Sequence, residues 1–171
     1  MSTVTIIMGS KSDLPALKGA FDTLKEFGVD CEGRILSAHR TPDAAAAAEL
    51  AKNAEENGTK VLICAAGMAA HLAGVIAGHT VLPVIGIPMA SAPFNGLDSL
   101  LAMVQMPPGI PVATVTAGNA GGKNAALLAI QMLALSDPEL MQKLKDFRVK
   151  QAEKVLADDK VLRESGYTAL I

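Results

Sequence analysis

Between Val61 and Ser136 the sequence carries only two charged residues, Asp98 and Lys123, whereas seven acidic and seven basic residues follow in the segment 137–171. A stretch so poor in charge either enters a membrane or is buried in protein. A membrane-spanning helix needs about 20 uninterrupted apolar residues, and prolines and glycines interrupt every candidate here. Burial is therefore favoured. Since a chain of this size leaves about 30% of its unfolded surface exposed, we expect another copy of the chain to cover much of this segment in an apolar homo-oligomer.

Short apolar, β-branched runs alternate with helix-forming segments along the chain. The predicted strands are Thr3–Met8, Val29–Leu36, Lys60–Ala65, Val81–Met89 and Pro111–Val115. The predicted helices are Leu14–Phe27, an alanine-rich run ending at Asn57, His71–Gly78, Leu97–Val104, Lys123–Leu135 and a last helix that starts at a capping box, Ser136–Glu139, and ends near Leu156. This alternation predicts a five-stranded parallel sheet with helices on both faces, an α/β fold.

The chain is expected to form a single domain over residues 1–171. Residues 1–135 make the α/β core, and residues 136–171 make a charged C-terminal helix and tail. We expect that helix to pack on a neighbouring subunit.

Unusual residues follow the first three predicted strands. The loops are Gly9–Asp13, Ser37–Asp43 and Ala66–His71, and they are rich in Gly, Ser, His, Arg and Asp. Ligands of parallel sheets bind at the carboxyl ends of the strands, near the point where the strand order reverses. If the first three strands are neighbours, the three loops converge on one site.

The first loop, GSKSD, lies between a strand and a helix. Serine hydroxyls and N–H groups at a helix start suit a phosphate, and the Asp13 carboxylate suits ribose hydroxyls. The alternative is that Ser12 or Asp13 only caps the helix. The loop matches neither the dinucleotide nor the P-loop glycine pattern.

The second loop carries the two residues that point most specifically to chemistry, His39 and Arg40. Arg40 has a forked donor that suits phosphate, and His39 beside it can exchange a proton near neutral pH. A structural histidine is the alternative. The third loop offers a flat wall of small residues for a planar heterocycle, although close helix–strand packing through Gly67 and Gly74 explains the small residues equally well. His71 and His79 are interpreted as structural.

Other classes of function are disfavoured. A net charge of -2 and 3% aromatic residues argue against nucleic-acid binding. No histidine, cysteine or carboxylate spacing predicts a metal, and no serine motif predicts a hydrolase. Cys31 and Cys64 are expected to be reduced, buried thiols of a cytoplasmic protein, and the N-terminus does not resemble a signal peptide.

Motifs spread from Val4 to about Leu135 resemble the PurE family, the N5-carboxyaminoimidazole ribonucleotide mutases of purine biosynthesis. They are MGSKSD, SAHRTPD, AAHLAG, LPVIGIP, DSLLAMVQMPPGIPVATV and NAALLAIQML. The resemblance implies a flavodoxin-like (Rossmann-like) three-layer α/β/α fold, a homo-octamer and an isomerase that needs no cofactor. Its substrates would be carboxylates of aminoimidazole ribonucleotide, with CO2 as an intermediate.

The resemblance also implies roles for eight residues. Those that hold the ribose and phosphate end of the substrate are Ser10, Ser12, Asp13, Ser37 and Arg40. His39 would be the general acid and base beside the imidazole ring. Ala66 and Gly67 would lie beside the ring and the migrating carboxylate.

The third loop departs from the family pattern, because Ala65, Met68 and Ala73 stand where glycine, glycine and proline are usual. Lys123 is also displaced from the usual position of a lysine. Met68 is expected to narrow the ring pocket.

Two alternative functions remain, an aminoimidazole ribonucleotide carboxylase that uses free CO2 and a non-catalytic nucleotide-binding, flavodoxin-like module. Arg40 and the AAHLAG run favour the mutase over the carboxylase, and the scarcity of aromatic residues argues against flavin.

Overall fold

A computed structural model describes residues 3–41, 45–169 and 171, with the backbone alone for 45–48. Pro42 and Asp43, at the end of the second predicted loop, lie outside the described residues. The chain divides into two compact units, Met1–Ile130 and Gln131–Ile171. In the described part of the chain, no helix has the length and apolar character that would let it cross a bilayer.

The first unit is an alternating α/β structure, as predicted. Its strands are β1 (Val4–Met8), β2 (Cys31–Ile35), β3 (Val61–Gly67), β4 (Val84–Met89) and β5 (Ala113–Thr114). The helices of the chain are α1 (Leu14–Phe27), α2 (Ala45–Asn53), α3 (Leu72–Ala77), α4 (Leu97–Val104), α5 (Gly118–Ala134) and α6 (Pro138–Ser165). Short 3₁₀ turns lie at Lys11–Asp13 and Tyr167–Ala169.

The five strands form one parallel sheet in the order β2-β1-β3-β4-β5, with helices on both of its sides. Val4 pairs with Cys31 on β2 and with Val61 on β3. The chain leaves β1 toward β2 and then crosses back to β3, so the strand order reverses between β1 and β3. This confirms the predicted sheet, and it places the crevice where ligands of such folds bind at the carboxyl end of β1.

The central strands are unbroken apolar runs in the sequence because both of their faces are buried. Every residue of β1 and β4 is buried, and so are the residues of β3 before Gly67, because helices cover both faces of a parallel sheet. β2 lies at the edge and is largely exposed in this chain. Cys64 is buried as expected, and burial raises the pKa of its thiol. Cys31 lies on β2 and is only partly buried, so the expectation of two buried thiols was wrong.

Several helix boundaries differ from the predicted ones. α5 begins at Gly118 rather than Lys123, because Gly121 and Gly122 are helical residues at a close contact and not part of a loop. α6 is capped by the Asp137 carboxylate, which accepts a hydrogen bond from Leu140 N at 3.0 Å, rather than by Ser136. α6 also continues to Ser165, beyond the expected end.

Candidate active site

One cavity of about 920 Å³ opens at the carboxyl ends of β1, β2, β3 and β4. All eight residues singled out from the sequence line it: Ser10, Ser12, Asp13, Ser37, His39, Arg40, Ala66 and Gly67. They come together because β1 lies between β2 and β3, so the loops that follow the three strands share one edge of the sheet.

The first loop is organised by a capping box. Ser10 N donates to Asp13 Oδ2 at 3.0 Å, and Ser10 Oγ accepts from Ser12 N at 3.3 Å and from Ser12 Oγ at 2.9 Å. Ser10 therefore caps the 3₁₀ turn Lys11–Asp13, while Asp13 stands at the N-cap position of α1 and its carboxylate accepts from Ser10 N instead of from α1. Since both lone pairs of Ser10 Oγ are used, its own hydroxyl proton remains as a donor toward the cavity.

Arg40 ties the first two loops together. Its Nη2 donates to the Gly9 carbonyl oxygen, and its Nε donates to Ser37 Oγ at 3.3 Å. Arg40 N also donates to Ser37 Oγ, at 3.1 Å. A guanidinium has five N–H donors. Both N–H groups of Nη1 and the second N–H of Nη2 are therefore available to an anion. The Ser10 hydroxyl and the braced Arg40 guanidinium therefore line the same cavity.

Asp13 and Arg40 are the charged side chains in the described lining of the cavity. Partial burial is the main influence on the Asp13 carboxyl and raises its pKa, against the smaller opposing effects of the Ser10 N–H and the Arg40 charge. Within residues 3–41, 45–169 and 171, no group of three or more His, Cys, Asp and Glu side chains is placed to hold a metal ion.

Two histidines meet in this cavity. His39 Nε2 lies 2.9 Å from His71 Nδ1, and the two ring planes are 77° apart with centroids separated by 4.9 Å. The sequence placed His71 at the end of the third loop but assigned it a structural role and did not predict its contact with His39. The signal available in the sequence was its position one turn after the end of β3, at the same edge as His39.

Backbone contacts and backbone conformation determine the path of the chain at the end of β3. Ala66 and Gly67 are the last residues of β3 rather than loop residues. A Cβ on Gly67 would lie 3.2 Å from the Met89 carbonyl oxygen, so a side chain there would press against β4. Met68 follows with φ of 55°, a left-handed conformation that is uncommon outside glycine. Its side chain is 62% exposed and lines the cavity.

The cavity also includes residues that sequence reasoning missed. They are Met89 at the end of β4, Ala90 and Ser91 after it, and Gly118 and Asn119 at the start of α5. Ser91 Oγ is buried and has no hydrogen-bond partner among the described residues. A parallel strand order that continues from β3 to β4 brings this fourth loop to the same edge, which was the signal that could have found it.

Comparisons with known proteins found a matching family model, similar sequences and a similar solved structure. Residues 3–154 match the family model described as AIR carboxylase. The N5-carboxyaminoimidazole ribonucleotide mutase of Thermotoga maritima is 51% identical over 167 residues, which are 98% of this chain and 95% of that protein. A mutase of the same name from Pyrococcus horikoshii is 56% identical over 164 residues, 96% of this chain and 90% of that protein. The crystal structure of Treponema denticola PurE superimposes with a TM-score of 0.83 at 32% identity, covering 94% of this chain and 98% of that one.

Proposed function

This chain belongs to the AIR carboxylase family, and we propose that within it the protein acts as an N5-carboxyaminoimidazole ribonucleotide mutase. This isomerase moves a carboxylate from the exocyclic nitrogen of the substrate to ring carbon C4. The observation that supports the proposal is the convergence of His39, Arg40 and the small residues Ala66 and Gly67 on one cavity, at the point where the strand order reverses.

The phosphate and ribose end of the substrate binds to the first two loops. Ser10 supplies a hydroxyl donor, and Ser12 orients that hydroxyl by donating its own proton to Ser10 Oγ. Arg40 supplies the N–H groups that its bonds to Gly9 and Ser37 do not use. Those two bonds hold the guanidinium in place before the substrate arrives, so less side-chain entropy is lost on binding. Asp13 accepts hydrogen bonds from the ribose hydroxyls with the carboxylate oxygen that does not cap the turn.

His39 performs both proton transfers. The bond between the exocyclic nitrogen and the carboxylate carbon breaks, its electron pair stays on nitrogen, and the nitrogen takes a proton from His39. The released CO2 then accepts an electron pair from C4, and the proton that C4 carried returns to His39. One residue is therefore acid and base in turn, and no proton is gained or lost over the cycle.

The environment of the ring suits this chemistry. Ala66 and Gly67 present backbone and small side chains to the heterocycle and the migrating group, and the charged residues of the lining lie at the phosphate end. A surrounding of low polarity favours loss of CO2 from a carbamate, because the charge on the carbamate is dispersed as the bond breaks.

The function is tested by supplying N5-carboxyaminoimidazole ribonucleotide in CO2-depleted buffer without ATP or added metal. We expect direct conversion to 4-carboxy-5-aminoimidazole ribonucleotide without accumulation of free aminoimidazole ribonucleotide. Product that forms only from aminoimidazole ribonucleotide and added CO2 would identify the carboxylase instead.

A His39→Asn variant separates an enzyme from a binding module. Asparagine cannot exchange the proton, so we expect turnover to fall by at least about 10²-fold while the variant still binds the product, measured by calorimetry. Turnover by His39→Asn at the wild-type rate would remove His39 from the mechanism. A folded wild-type protein that binds the nucleotide and converts neither substrate would support the non-catalytic alternative.

The same proposal includes the assembly and location of the enzyme. Several large apolar side chains of the charge-poor segment are more than a third exposed in the single chain: Val75, Val81, Phe94, Leu97, Leu100, Leu101 and Val104. Their exposure supports a homo-oligomer, which the resemblance makes an octamer. The free thiols of Cys31 and Cys64 support a reducing, cytoplasmic location.

A further inference from the structure

We propose that His71 is a positioning residue for His39, which holds the His39 ring with Nε2 as a hydrogen-bond donor and so leaves Nδ1 as the nitrogen that exchanges protons. This inference rests on the proposed mutase function, since it assigns the state of the histidine that the mechanism uses. It explains a contact that the sequence did not predict, between side chains 32 positions apart.

The contact is built from two separately anchored segments. The backbone N–H of His71 donates to the Ala69 carbonyl oxygen at 2.8 Å, and the His71 carbonyl oxygen accepts from Val75 N at 2.9 Å at the start of α3. Leu72, the next residue, is buried in the core. His39 lies in the loop that Arg40 and Ser37 brace through Ser37 Oγ. Hydrogen bonds therefore hold both backbones where the two exposed rings can meet, with Nε2 and Nδ1 2.9 Å apart.

The number of protons on the two rings decides the direction of the bond. When His39 carries two ring protons and acts as an acid, its Nε2–H must be a donor, so His71 Nδ1 must be an unprotonated acceptor. His71 is then the neutral tautomer with its proton on Nε2. After His39 has released the proton from Nδ1, the same hydrogen bond persists and Nδ1 becomes a base. The two transfers therefore require no rearrangement between the rings.

The opposite direction blocks the mechanism. If His71 Nδ1–H donated to His39 Nε2, a neutral His39 would keep its proton on Nδ1 and would offer no unprotonated nitrogen to the cavity. Taking up the proton from C4 would first require that hydrogen bond to reverse. Among the described residues no hydrogen bond occupies His39 Nδ1, so that nitrogen is available to a substrate.

The direction of the bond is measured by ¹⁵N NMR of the wild-type protein labelled at its three histidines, with assignments from single His→Asn variants. We expect His39 to carry its proton on Nε2, His71 to have an unprotonated Nδ1, and a coupling between these two nitrogens across the hydrogen bond. A neutral His39 protonated on Nδ1, or the absence of any coupling, would overturn the proposal. This measurement needs no turnover, so it gives an answer even if the proposed reaction fails.

Kinetics then test the consequence for catalysis. His71→Asn places an acceptor oxygen near the position of Nδ1 and is expected to keep kcat within about threefold, whereas His71→Leu removes the acceptor and should lower kcat on the order of 10- to 100-fold, with KM nearly unchanged. His79→Leu is the matched control, because His79 is exposed and lies outside the cavity lining. Equal losses in His71→Asn and His71→Leu, or wild-type kcat in His71→Leu, would contradict a positioning role.

A double variant completes the test. If His71 acts through His39, adding His71→Leu to His39→Asn should cause no further loss of kcat. A further loss of the full size would show that His71 acts independently of His39, which would also overturn the proposal. Thermal unfolding of each variant, together with its ¹⁵N spectrum, shows whether the variant is folded when its kcat is measured.

Discussion

At the scale of single residues, Met68 combines a left-handed backbone with an exposed apolar side chain. Its φ is 55°, and its side chain is 62% exposed at the cavity. A side-chain-bearing residue in this conformation is less stable than glycine by about 1–2 kcal/mol, and such strain often accompanies functional sites. The resemblance to the PurE family places glycine at this position, so the strain belongs to this chain's own version of the third loop.

We expect Met68→Gly to be more stable toward unfolding than Met68→Ala by about 1 kcal/mol. Alanine keeps the Cβ that crowds the left-handed backbone, whereas glycine removes it. The greater entropy of glycine in the unfolded chain offsets part of the gain. Because both variants lack the methionine side chain, urea unfolding of the pair isolates the backbone term. Equal midpoints, or a more stable alanine variant, would show that the loop holds no such strain.

The sequence predicted which residues lie together at the edge of the sheet where their position follows directly from a strand end. Ser10, His39 and Gly67 line the cavity because each lies within a few residues of the carboxyl end of β1, β2 or β3. It did not predict the contact between His71 and His39, which depends on how the third loop turns and on a partner in another loop. It did not single out Ser91, because Ser91 lies between Ala90 and Ala92 and no run of polar residues marks the loop after β4. The roles of the eight predicted residues remain predictions.

At the scale of secondary-structure elements, the start of α5 shows why a local pattern can mislead. Glycine disfavours a helix by about 1 kcal/mol relative to alanine, so the glycine-rich run before Lys123 predicts a loop. The structure makes this run helical. A Cβ on Gly121 would lie 1.8 Å from the Thr116 carbonyl oxygen, and one on Gly122 would lie 2.8 Å from the Ala16 carbonyl oxygen. Packing between elements, which is invisible to local propensity, therefore overrides the intrinsic cost of glycine.

Gly121→Ala is expected to lower the free energy of unfolding by more than about 3 kcal/mol or to prevent folding. The new Cβ would overlap backbone, which cannot move aside as a flexible side chain can, so α5 would have to shift. Gly19→Ala is the matched control, because it adds a Cβ on α1 that approaches the backbone of Lys123 no closer than 3.8 Å. That control should be neutral or stabilising by up to about 1 kcal/mol. Urea unfolding compares the two, and similar midpoints would refute the close-contact explanation.

At the scale of the whole molecule, the lack of charge between Val61 and Ser136 and the exposed apolar side chains of the same segment both favour a covered interface. α4 presents Leu97, Leu101 and Val104, each more than half exposed, and Phe94 lies just before it. Apolar patches of this kind are rare on monomeric proteins. The sequence predicted that this segment would be covered, but the number of subunits follows from the arrangement of copies, which a single chain does not specify by local rules.

We expect the wild-type protein to sediment as a homo-oligomer and Leu101→Glu to shift it to a smaller species. A carboxylate at Leu101 would lose its water on association without gaining a partner, which costs several kcal/mol at each copy of the interface. Lys25→Glu, an exposed change on α1, controls for altered net charge and should leave the mass unchanged. Sedimentation velocity at micromolar concentration decides the matter. A monomeric wild type, or a Leu101→Glu variant of wild-type mass, would mean that α4 is not an interface and that the lack of charge from Val61 to Ser136 needs another cause.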